Sequence, residues 1–142
     1  CRKTIDSNTW KDEKFIEQTK KALRLLRNKS PGTYKNLVLK RLRCIRFYKA
    51  SYVNGSGEFR VSSITAFFSL RWYAATIVHE AYHLELNARG LVPFGTSAEL
   101  KCIKVQIRVG LRIGLRKRGR GSIERLKSLD GTHWKSRDRN SR

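Results

Sequence analysis

The sequence predicts a small α+β domain: an N-terminal helix, a small β-sheet or hairpin, then a helix bearing two histidines followed by a helix bearing a glutamate. Three observations lead there. Hydrophobic side chains are 39% of 142 residues, enough for one core and too many for a wholly disordered chain. Apolar residues recur at helical spacing in two long stretches, and between them at period two beside a Gly-rich turn. The cysteines Cys1, Cys44 and Cys102 show neither C-x-x-C spacing nor a dense pattern, so no disulfide framework or structural zinc knuckle is expected. The domain is expected over residues 1–134, with a basic polar tail at 135–142.

The first element is an amphipathic helix over Asp12–Asn28, with Phe15, Ile16, Thr19, Leu23 and Leu26 on one face, ended near Asn28-Lys-Ser-Pro-Gly32. Leu37–Tyr48 is apolar and β-branched, interleaved with Lys and Arg. After the turn signal Asn54-Gly-Ser-Gly57, Glu58–Ser63 alternates Phe59 and Val61 with polar neighbours. These read as two strands forming a sheet or hairpin.

The second helix is Trp72–Asn87, approached by Ala74, Ala75, Ile77 and Val78 and stopped by Gly90 and Pro93. Thr96 or Ser97 can cap a third helix starting near Ala98, with Glu99 in its first turn. Residues 103–115 alternate Ile103, Val105, Ile107, Val109, Leu111, Ile113 and Leu115 with polar residues or Gly, a strand period. A helix fits the same residues with Ile103, Gln106, Ile107 and Gly110 on one face. Lys117–Ser122 reads as a basic, flexible break, and a short helix Ile123–Leu129 follows it.

Charge is unevenly distributed. Lys and Arg number 32 against 11 acidic residues, a formal charge of +21. Sixteen of the basic residues lie in 1–60 and fourteen in 101–142, leaving Arg71 and Arg89 between. The middle of the chain is therefore free to hold a dication without repulsion. The flanks suit an anionic partner, whether nucleic acid, acidic membrane or acidic protein. No RNP-like or zinc-finger pattern supports specific base readout. No apolar run reaches the roughly 20 residues of a membrane helix. The chain has no Met, which fits a processed piece of a longer product, such as a domain of an exported effector, and Cys1 reads as a processing scar or a lipidated residue.

The chemistry concentrates in His79-Glu-Ala-Tyr-His83, an H-E-x-x-H pattern on the second helix. Residues four apart project from one face one turn apart, so both imidazoles can bind one zinc ion and leave positions for a third ligand and a water. Glu80 is turned about 100° from His79, beside the metal, where it can take a proton from the attacking water. With three His and seven Glu in the chain, the pattern arises by accident about three times in a thousand, so a coincidence of helical spacing is the weaker reading. The third ligand is Glu99, at the start of the next helix, or His133, the remaining histidine. Gln106 reads as a helix-packing amide.

Trp72–His83 resembles the active helix of gluzincin-type zinc metallopeptidases. Ala98–Gln106 resembles their glutamate helix, with Glu99, a small residue three later and Gln106 four after that. Leu111–Gly114 and Asp130–Trp134 look like the closing parts of compact bacterial domains of this kind. The resemblance spans roughly residues 60–134 and implies a minimal zincin-like domain with helix over 98–114. It implies a metallopeptidase acting on a protein or peptide, with one zinc on His79, His83 and Glu99 and with Glu80 as base. That class also supplies a Tyr or His to stabilise the oxyanion. His133 is the first candidate here, because an imidazole can donate to the developing charge, and Tyr73 and Tyr82 are the others.

Overall fold

The computed structural model describes residues 9–128, a mixed α+β fold. Helix α1 (Thr9–Lys29) buries Phe15, Thr19, Ala22 and Leu26, a stripe at four- and three-residue steps that faces the core. Ser30 breaks it, and a second helical run follows: α2 (Pro31–Thr33), a π-helical turn (Tyr34–Val38) and α3 (Leu39–Arg41). Residues 37–41 are thus helical, and the strand expected from Leu37 begins only at β1 (Cys44–Phe47).

β1, β2 (Tyr52–Val53) and β3 (Glu58–Val61) form a sheet in the order β1-β3-β2. β1 runs parallel to β3, with Cys44 opposite Glu58 and Phe47 opposite Val61, so the two longer strands are not a hairpin. The hairpin joins β2 to β3 through the Gly-rich turn. Asn54 Oδ1 accepts from the Ser56 and Glu58 backbone N–H groups (both 3.1 Å), and Gly57 takes the positive φ that closes the turn. Cys44 is disulfide-bonded, contrary to the reading of the cysteine spacing.

Ser62 ends the sheet and accepts from Thr65 N, capping α4 (Ser63–Phe68), a helix the alternation around Phe59 and Val61 does not announce. Ser69 caps α5 (Leu70–Ala88) by accepting from Trp72 N at 3.0 Å. α5 is the central helix, with α6 (Thr96–Ile113), α1, α4 and the π-helical turn packed around it. Its Tyr73, Ala74, Ala75, Ile77, Val78 and Ala81 are fully buried, so α5 is packed on most of its circumference. Residues 96–113 are helical, so helix prevails over the period-two pattern there; the cap is Gly95 at positive φ, not a Thr or Ser side chain. Gly114 ends α6 in the left-handed conformation, and residues 123–128 are helical again (α7). No helix among the described residues is long and apolar enough to cross a membrane.

Candidate metal centre

The α5–α6 contact brings the chain's ligand-type side chains together. His79 and His83 lie one turn apart on α5, both buried, with ring centroids 5.2 Å apart. Glu99, in the first turn of α6, reaches across to both. Its Oε1 lies 2.7 Å from His79 Nε2 and its Oε2 3.1 Å from His83 Nε2. The far side of each ring is also fixed. His83 Nδ1 is 2.6 Å from the Pro93 carbonyl, which can only accept, so Nδ1 is the donor. His79 Nδ1 donates to Gln106 Oε1 at 2.8 Å. Both imidazoles therefore present Nε2 to one point, with the tautomer set from behind, as metal-ligating histidines do.

A carboxylate facing two ring nitrogens requires positive charge between them, from protons or from a cation. Without a cation the protons supply it. Burial alone would favour the neutral His83 ring, but its bonds to Cys102, Glu99 and Pro93 outweigh that and raise its pKa to about 11. The same hydrogen bonds to His79 and His83 hold the Glu99 carboxyl far below the usual range, against the opposing effect of burial. Glu80 follows His79 on α5, and burial raises its pKa while the two histidines pull it down. A carboxylate held upward in this way is a stronger base.

Cys102 was missed by the cysteine spacing. It lies one turn after Glu99 on α6, fully buried, and His79, His83 and Cys102 bring one ligand atom each within 4.8 Å of one another. Burial pushes its thiol up, so Cys102 is protonated where Glu99 is already charged. Gln106 was read as packing and instead orients His79. The signal for both was present: positions 99, 102 and 106 are spaced by three and four, one face of a helix. The donors are imidazole, carboxylate and thiol, the nitrogen, oxygen and sulfur set that zinc prefers.

Tyr73 and Tyr82, the two described oxyanion candidates, make no hydrogen bond to His79, His83 or Glu99. Tyr73 is fully buried and its hydroxyl is 2.7 Å from Thr19 Oγ1 on α1, so it belongs to the core. Tyr82 packs against both the main core and the Leu86, Ala98 and Cys102 group, with the Arg89 guanidinium over its ring. His133 and Asp130–Trp134 lie outside the described residues. One side of the centre is formed by the loop between the two helices, where Phe94 stacks on His83 with centroids 5.4 Å apart. Leu91, Val92 and Phe94 in that loop are exposed. Compared with models of protein families, with curated proteins and with solved structures, the chain gives no match.

Proposed function

We propose that the chain is a zinc-dependent metallopeptidase of the gluzincin type, in which His79, His83 and Glu99 hold the metal and Glu80 is the general base. One observation carries the reading: two imidazoles whose Nδ1 atoms are each held by an acceptor turn both Nε2 atoms onto one carboxylate. That is the outer support that metal-ligating histidines carry. Bound zinc would polarise the scissile carbonyl and acidify a water. The remaining work falls to the protein. Glu80, on the same helix and raised in pKa by burial, accepts the proton of the attacking water and returns it to the leaving amine. Gln106 and Pro93 keep the rings oriented while this proton moves.

Cys102 favours a second reading. If its sulfur joined both histidines and Glu99, four protein ligands would close the coordination sphere, as in structural zinc sites, and no position would remain for catalysis. The chain would then be a basic binding module with a structural zinc.

One experiment separates the two. Elemental analysis of purified wild type should give one zinc per chain, and hydrolysis of an unfolded protein should accompany it. Glu80→Gln should keep the zinc and lose a factor of about 10² to 10⁴ in hydrolysis. Cys102→Ser should keep both zinc and hydrolysis. Wild-type rates in Glu80→Gln would end the peptidase reading, and loss of zinc in Cys102→Ser would support the closed structural site.

A further inference from the structure

Near the start of α5 lies the segment 114–121, which includes most of the Lys117–Ser122 stretch expected to be a flexible break, and its backbone takes a defined shape. Gly114, Gly119 and Gly121 all take positive φ. A Cβ on Gly121 would collide with the Phe68 ring, so the backbone there abuts the edge of that ring. The Arg120 guanidinium sits over the same ring, 5.5 Å from its centroid, and the Arg120 carbonyl accepts from Arg116 Nη2 at 2.9 Å. A Cβ on Gly114 would lie 3.4 Å from Arg71 Nε, so the left-handed turn that ends α6 leaves room for that side chain.

These groups surround a cavity of about 550 Å³. Arg71, Arg116 and Arg120 line it, together with the apolar Phe68, Leu25 and Leu115. Among the described residues none of the three arginines pairs with a carboxylate, although Arg41, Arg46, Arg60 and Arg89 each do. Arg71 is eight residues before His79, about 12 Å along the helix at 1.5 Å per residue, so this is a separate site.

We infer that this cavity binds a phosphomonoester whose phosphate meets Arg71, Arg116 and Arg120 and whose aromatic or apolar body rests on Phe68, Leu25 and Leu115. Three reasons lead to that chemistry. Guanidinium groups offer paired donors that match phosphate oxygens. Three cations around one opening repel each other until an anion neutralises them. A volume of this size falls within the range of small-molecule pockets and exceeds the needs of a bare ion.

The test is isothermal titration with phenyl phosphate at fixed ionic strength, beside inorganic phosphate. It uses the wild type, Arg71→Gln/Arg120→Gln, and a control with equal charge loss, Lys35→Gln/Lys40→Gln. Phenyl phosphate should bind saturably and more tightly than inorganic phosphate. The arginine variant should lose about tenfold or more in affinity while the lysine control stays within about twofold. Flotation with phosphatidylcholine vesicles, with and without phosphatidic acid, identifies the source. Retention that phenyl phosphate displaces assigns a lipid headgroup, and its absence assigns a soluble ligand. Equal losses in both double variants would reduce the effect to net charge and overturn the site, as would a titration with no saturable phase.

Discussion

At the scale of single residues, the cluster depends on groups that stand behind the two imidazoles. Gln106 holds the His79 ring through Nδ1, so Gln106→Ala should lower zinc affinity about 10- to 100-fold, and Gln106→Glu, which keeps the acceptor, should restore most of it. Competition with a chelating dye measures both. His83 sets the pH dependence. Its folded pKa is raised from the ordinary 6.5 to about 11, so the proton it holds stabilises the metal-free fold fully below about pH 6.5, and that contribution is lost as pH climbs toward 11. Glu99 is shifted the other way, so its contribution is present above its ordinary 4.5 and is lost as pH falls through its depressed value. A zinc ion held as proposed would need the His83 Nε2 lone pair and would have to displace that proton. Its affinity should therefore rise between about pH 6 and 8, by about tenfold per unit if one proton leaves, while the melting temperature of the metal-free protein falls. Affinity independent of pH would show that His83 is not a ligand.

Among elements, legibility tracked how local the cause is. α1 and α5 carry their own period and their own stops, and both are where the residues imply; α6 was expected only from the resemblance, against the strand period of its own residues. The sheet is different. The pairing of β1 with β3 is parallel and skips β2, and nothing within either strand encodes a partner that distant in sequence. The run from Leu37 is apolar enough for strand or helix, and burial of Leu37 and Val38 beside α5 and α1 settles it as helix. At α6 the alternation of Ile and Val with polar residues reflected a helix buried on a wide face, reaching Val105 and Gln106 together. The grouping of His79, His83 and Glu99 was legible because H-E-x-x-H and a first-turn glutamate are short-range patterns. Cys102 was not, because its role depends on α6 crossing α5. α5 itself begins at a single hydroxyl: Ser69 accepts from Trp72 N. Ser69→Ala should cost about 1 kcal/mol in urea unfolding, and Ser69→Asp should retain the cap. No change in Ser69→Ala would mean that packing around Tyr73 alone fixes the start of α5.

For the molecule as a whole, the +21 charge and the fold are arranged so that one does not spoil the other. Glu85 on α5 and Glu58 in the sheet are tied to arginines. Glu85 is bound by Arg41 and Arg89, and Glu58 by Arg60 and Arg46. α5, which carries His79 and His83, has Arg71 at its first turn as its only basic residue. The rest of the positive charge therefore repels itself across the surface. Added salt screens that repulsion over roughly 8 Å at physiological ionic strength, so the melting temperature should rise from low to moderate sodium chloride. Binding to an anionic partner must respond in the opposite sense, because each phosphate or sulfate contact releases counterions that salt resists. Retention on heparin should fall steeply as sodium chloride increases, while the zinc content and hydrolysis proposed for the α5–α6 centre, whose two histidines are buried, should change little. A heparin affinity that ignores salt would reduce the charge to a matter of solubility. Hydrolysis that falls in step with heparin binding would instead mean that the basic surface captures the substrate, coupling the two halves of the molecule's chemistry.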